Sequence, residues 1–96
     1  MLKFVKLTPK VWRRVVKLSK NEMRVYIGLS YWQINPYTAK TDVIRIKHIQ
    51  KTSGITDADN IRKILRQLIK KRAIRKTRIK APQGWHQYVL LFHEKE

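Results

Sequence analysis

Between Thr56 and Lys80 the chain carries a pattern that admits few folds. Ile61, Ile64, Leu65 and Leu68 fall at i, i+3, i+4 and i+7, the spacing of one buried helical stripe. The opposite side reads Asp59, Lys63, Arg66 and Lys70, and the basic run continues through Lys71, Arg72, Arg75, Lys76, Arg78 and Lys80. No acidic residue stands between Asp59 and Glu94. A helix that packs by one face and turns a cationic face to solvent, followed by a basic strand, points to a polyphosphate partner.

The whole chain leans the same way. Its 96 residues hold 23 Lys and Arg against 6 Asp and Glu, a formal charge of +17. Self-repulsion at that charge opposes a compact state, so an anionic partner is the natural compensation. Nucleic acid is the first candidate, then an anionic membrane surface, then an acidic protein; a basic surface kept only for solubility is the bland alternative. A hydrophobic share of 43% separates the chain from polybasic tails too poor in aliphatic residues to fold. The length suits a single domain, residues 1–96, with one small core.

The absence of cysteine excludes disulfides, thiolate metal sites and cysteine nucleophiles, and fits a cytoplasmic location (the host cytoplasm for a viral protein). No apolar run approaches the roughly 18 residues of a membrane span. The stretch Met1–Lys10 alternates Lys with Leu, Phe and Val, without the unbroken apolar region and small-residue cleavage site of a signal peptide.

Start and stop signals order the rest. Residues 1–7 are expected as an extended arm or strand. Thr8-Pro9 opens a short helix over about Lys10–Lys17, burying Val11, Trp12, Val15 and Val16. Ser19-x-x-Glu22 is a capping box, after which Met23, Tyr26, Ile27, Ser30, Tyr31 and Ile34 trace a stripe. Gly28 in its middle costs about 1 kcal/mol relative to Ala, which a close helix crossing would explain. Asn35-Pro36 ends that helix and opens a polar loop to Asp42. Val43-Ile44 is expected as a short strand. Ile46–Thr52 reads as a helix with Ile46 and Ile49 inward, closed by Gly54 as C-cap, with Ile55 as a buried plug. Thr56 is then expected to cap the informative helix, with Asp57 and Asp59 in its first turn, and that helix ends near Arg72-Ala73. Ile74–Lys80 and Trp85–His93 flank the turn Ala81-Pro82-Gln83-Gly84, with Tyr88, Leu90 and Phe92 on one face.

Two helices joined by a Gly-containing turn and followed by a β-hairpin give an α+β class and a winged helix-turn-helix layout. The helix-turn-helix spans 46–72 and the wing 74–93. In such a layout the second helix enters the major groove. Asn and Gln can bond adenine bidentately, Arg can bond guanine, and Asp can accept from cytosine N4. Asp59, Asn60, Arg62, Lys63, Arg66 and Lys70 are therefore the candidate recognition-helix contacts, although for Asp59 helix capping is the favoured reading. Arg75, Lys76, Arg78 and Lys80 on the wing are candidates for the phosphate backbone, against the reading that they merely protect an edge strand. Lys47, His48 and Lys51 on the preceding helix could reach phosphates too. Trp85 at the wing base is expected to be structural.

Enzyme signatures are missing: there is no glycine-rich phosphate loop, no His-Glu-x-x-His and no serine in an elbow context. His48, His86 and His93 lack ligand spacing, and Asp57-x-Asp59 belongs to a helix start. The basic helix also lacks the interfacial Trp or Phe of a membrane-surface helix.

From Leu7-Thr8-Pro9 through Ile74 the chain resembles the N-terminal DNA-binding domain of phage replication protein O relatives. The resemblance rests on Glu22-Met-Arg-Val-Tyr26, Tyr31-Trp-Gln-Ile-Asn35, Lys40-Thr-Asp-Val-Ile-Arg-Ile46, Ser53-Gly-Ile-Thr56 and Leu65-Arg-Gln-Leu68. It departs at Asp57-Ala58-Asp59, where relatives often carry Arg or Ser, and no helicase-recruiting region follows the wing. That leaves a stand-alone small binder, an excised domain, or a viral or plasmid transcription regulator. The expected function is non-enzymatic binding of double-stranded DNA in replication initiation or transcription regulation, with no cofactor, membrane or small-molecule substrate. An RNA-binding or ribonucleoprotein component and a protein-interaction winged helix are the alternatives. Dimerisation through Trp12 or the N-terminal arm is left open.

Overall fold

A computed structural model describes residues 7–35 and 37–94. The arm expected at the N-terminus lies outside these residues up to position 6, as does Pro36. The elements are α1 (Pro9–Val15), α2 (Lys20–Ser30), α3 (Ile46–Ser53), α4 (Ala58–Lys70), β1 (Ile74–Lys76), β2 (Tyr88–Leu90) and a single-turn α5 (Leu91–Glu94). The architecture is α+β, helices packed around one core with a two-stranded antiparallel sheet at one side. Its radius of gyration, 12.2 Å, is close to the ~12.5 Å of a compact domain of this length.

Local chemistry sets the helix starts. Thr8 Oγ1 accepts from the Val11 amide, with Pro9 in the first helical positions. At α2 the Ser19 hydroxyl accepts from the Glu22 amide at 3.3 Å, and the Glu22 carboxylate accepts from the Ser19 amide at 2.9 Å. The stripe expected along α2 needs correction. The helix stops at Ser30, and Tyr31 and Ile34 are exposed. Its buried face is Val25, Tyr26 and Leu29, with Met23 and Ile27 only half-buried. Trp12 and Val16 on α1 are likewise exposed rather than buried. The rotation of α2 follows from Gly28, which faces α3. A Cβ at Gly28 would lie 3.0 Å from Thr52 Oγ1 and 3.1 Å from the Ser53 nitrogen. Glycine permits that crossing, and the Thr52 hydroxyl donates to the Gly28 carbonyl across it at 2.9 Å.

Gly54 ends α3 in the left-handed conformation, φ 74°, its amide donating to the Gln50 carbonyl. Ile55 is buried behind the turn. The cap of α4 is Asp57 and not Thr56: Asp57 Oδ1 accepts from the amides of Asp59 and Asn60 at 3.0 and 3.3 Å. A carboxylate there also complements the helix macrodipole, while the Thr56 carbonyl accepts from the Gln50 side chain. Ile61, Ile64, Leu65 and Leu68 are all buried, as the stripe requires. At the other end Arg72 adopts φ 58°. The Ala73 amide reaches the Leu68 carbonyl at 2.9 Å and the Arg72 amide reaches Ile69 at 3.0 Å, closing the helix and turning the chain into β1.

The strands are shorter than expected. β1 pairs with β2 through Ile74–Leu90, Arg75–Val89 and Lys76–Tyr88, and Thr77 adds one further backbone bond to Gln87. Beyond it, residues 78–80 have no apolar surface to cover and run as irregular chain, with Ile79 exposed. The turn forms one residue later than expected, over Pro82–Trp85: the Trp85 amide donates to the Pro82 carbonyl, and Gly84 takes φ 87°. β2 ends at Leu90 because the next residues coil into α5, which sends Phe92 against the Tyr26 ring at 5.2 Å rather than along the strand face. Val89 is buried like its neighbours, and the far edge of β2 is bonded to Ala39–Thr41, with Ile44 bridged to His86 just before the strand. The strand expected at Val43-Ile44 is thus a single bridge, Ile44 to His86. Among the described residues no helix is long and apolar enough to cross a membrane.

Candidate functional site

Three stretches far apart in sequence enclose one groove of about 380 Å³. The first turn of α3 supplies Arg45 and Lys47, α4 supplies Arg62 and Arg66, and the hairpin supplies Lys76. Ile46, Leu65, Ile69 and Tyr88 form an apolar floor, and Gly84 and His86 complete the wall. No acidic residue lines it.

The ion pairs explain why this groove is strongly positive. Among the described residues three form: Arg62–Asp59 at 2.8 Å, Lys71–Glu22 at 2.7 Å and Arg75–Glu94 at 3.9 Å. Two of them engage Glu22 and Glu94 with cations outside the groove, and the third, at Arg62, is an exposed pair of little strength. Arg45, Lys47, Arg66 and Lys76 have no carboxylate partner among the described residues. Arg45 is positioned by an aromatic contact instead, its guanidinium carbon 5.6 Å from the centre of the Trp85 ring.

The residues singled out in the sequence divide into three groups. Arg62, Arg66, Lys47 and Lys76 meet at the groove. Asp59, Lys63 and Lys70 are exposed on the outward face of α4 beside it, with Asn60 half-buried at the helix start. Lys51, Arg75, Arg78 and Lys80 are exposed but do not line the groove; Arg75 turns toward Glu94 on α5. His48 is structural: its Nδ1 accepts from the Arg45 amide at 3.0 Å, and its ring lies between Trp32 and Trp85. That same contact makes Trp85 part of the scaffold, as expected.

Two groove residues escaped the sequence reading. Arg45 precedes α3 at the N-cap, where an acidic or hydroxyl residue is the usual choice, so a cation there was the available signal. His86 comes from the strand opposite Ile44, a juxtaposition no local pattern reveals. Burial, then the neighbouring Lys76 charge, pushes the His86 imidazole below its ordinary pKa, so it is neutral near pH 7. Burial pushes the Tyr88 phenol up to about 12, leaving a neutral hydroxyl. Among the described residues no three His, Cys, Asp or Glu side chains gather as a metal-binding group.

No family model, curated protein or solved structure matches the chain.

Proposed function

We propose that the chain is a winged helix-turn-helix that binds double-stranded DNA without catalysing a reaction on it. In this reading α3, the Gly54 turn and α4 are the helix-turn-helix, α4 enters the major groove, and the 74–90 hairpin is the wing. The observation that carries the reading is the convergence of Arg45, Lys47, Arg62, Arg66 and Lys76 from three stretches on one acid-free groove. Beside it runs the outward row Lys63, Arg66 and Lys70. A duplex has regularly spaced phosphates beside base edges, and this surface sets the cations of the groove beside the outward row of α4. The resemblance to phage replication protein O relatives favours origin or operator DNA as the target.

Counterion release supplies the test. If about six cations neutralise phosphates, log K falls with log salt at a slope near −5. The measurement is a duplex titration by fluorescence anisotropy across a salt series. A flat response overturns the proposal, and displacement of bound duplex by equimolar structured RNA moves it to an RNA ligand.

A further inference from the structure

Phosphate binding alone does not account for an apolar floor. Phosphodiester chains need cations and amides, whereas Ile46, Leu65 and Ile69 offer a surface suited to a planar, weakly polar group. At about 380 Å³ the groove sits at the lower end of the roughly 300–1,000 Å³ range of small-ligand sites, which are apolar with a few placed polar groups.

Two sets of polar atoms are unsatisfied there. The first is at the start of α3, where the amides of Ile46 and Lys47 have no acceptor among the described residues. Unlike α1, α2 and α4, this helix has no side-chain oxygen capping it. Free amides at a helix start favour an anion. The second is the Tyr88 hydroxyl. Tyr88 is 2% exposed, and its hydroxyl has no hydrogen-bond partner among the described residues. No wholly buried side-chain nitrogen or oxygen lacks a partner among the described residues. The small surface that Tyr88 keeps therefore includes its hydroxyl, and the residue lines the groove.

An anion site, an apolar floor and one buried hydroxyl within a single groove match the parts of a nucleotide. We propose that the groove holds one unpaired nucleotide of the bound nucleic acid, its phosphate against the Ile46 and Lys47 amides and its base on the Ile46–Leu65–Ile69 floor beside the Tyr88 hydroxyl. The inference rests on the nucleic-acid reading and narrows it: the preferred ligand is a duplex carrying an extrahelical or single-stranded nucleotide, not a perfectly paired one. Unstacking such a base costs little because it is already unpaired, and covering about 40 Å² of its face with aliphatic side chains at roughly 25 cal/mol per Å² raises affinity about fivefold.

The test compares a blunt duplex with the same duplex carrying a single-nucleotide bulge, for the protein and for Tyr88→Phe, which removes only the hydroxyl. Adenosine 5′-monophosphate, followed by the amide NMR signals of Ile46 and Lys47, gives a second readout that does not depend on duplex binding. The expected results are about fivefold tighter binding to the bulged duplex, a smaller ratio in Tyr88→Phe, and movement of both amide signals with the monophosphate. Equal, salt-dependent affinity for both duplexes overturns the nucleotide pocket but leaves the duplex reading standing. A bulge preference that survives Tyr88→Phe unchanged also overturns it. No affinity for either duplex and still amide signals overturn both readings together.

Discussion

Glu22 shows how one acidic side chain serves two purposes in a very basic protein. It completes the capping box of α2 and, at 3% exposure, receives Lys71 from the end of α4. Burial raises its pKa, but Lys71, the Ser19 amide and the Ser19 hydroxyl outweigh that and hold the carboxyl below its ordinary value of 4.5. A carboxyl with a folded pKa below its unfolded one contributes stability above about pH 4.5, lost as pH falls through the folded value. Glu22→Gln should therefore lower stability at neutral pH and flatten the acid limb of a urea-denaturation series below pH 4.5. On the proposed binding surface, Arg66 stands where α4's outward row meets the groove, whereas Lys76 belongs to the hairpin. Arg66→Ala should relax base preference, and Lys76→Ala should weaken all duplexes alike while making the salt slope shallower by about 1. Selection from a random duplex pool, run with each variant, separates the two; equal loss of discrimination would refute the division.

At the level of elements, the clearest local compromise is the end of α4. Arg72 occupies the left-handed position that closes the helix, where a side chain costs roughly 1–2 kcal/mol and glycine avoids it. Glycine gives part of that back through greater freedom in the unfolded chain. Arg72→Gly should raise stability by about 0.5–1 kcal/mol, a rise of several degrees in Tm for a domain of this size; a lower melting temperature would contradict this account of the turn. What was legible in the sequence was local in the same sense. The Ile61–Leu68 stripe, the Ser19 box, the Gly54 cap and the cationic side of α4 follow from periodicity and neighbours a few residues apart. The shift of the α4 cap from Thr56 to Asp57 is a one-residue competition between two good caps. The rotated face of α2, the truncated strands and the groove were not legible. Each depends on contacts between distant segments: Gly28 against Thr52, β2 held on both edges, and Arg45 brought to the hairpin by Trp85. Lys47 and Lys76 were identified separately as cations, but nothing in their spacing places them around a common cavity with His86.

For the whole molecule, size bounds the footprint. The principal extents are 34 × 28 × 26 Å, and one turn of duplex rises about 34–36 Å over 10–10.5 base pairs. A single copy should protect about ten base pairs in hydroxyl-radical footprinting; protection of two turns would require a second copy on the DNA. The charge of +17 acts at this scale as well, since it opposes both compaction and the approach of another copy. The arrangement of β2 gives that repulsion a specific use. With β2 bonded on both sides, the outer edge of β1 is the side of the sheet left without a strand among the described residues. Backbone groups along such an edge can pair with an identical edge from a neighbour, and aggregation begins that way. Arg75 and Lys76 are on that strand, and like charges on the facing edge of a second copy oppose such pairing, so the cations proposed to meet nucleic acid also guard the sheet against adding strands from its own kind.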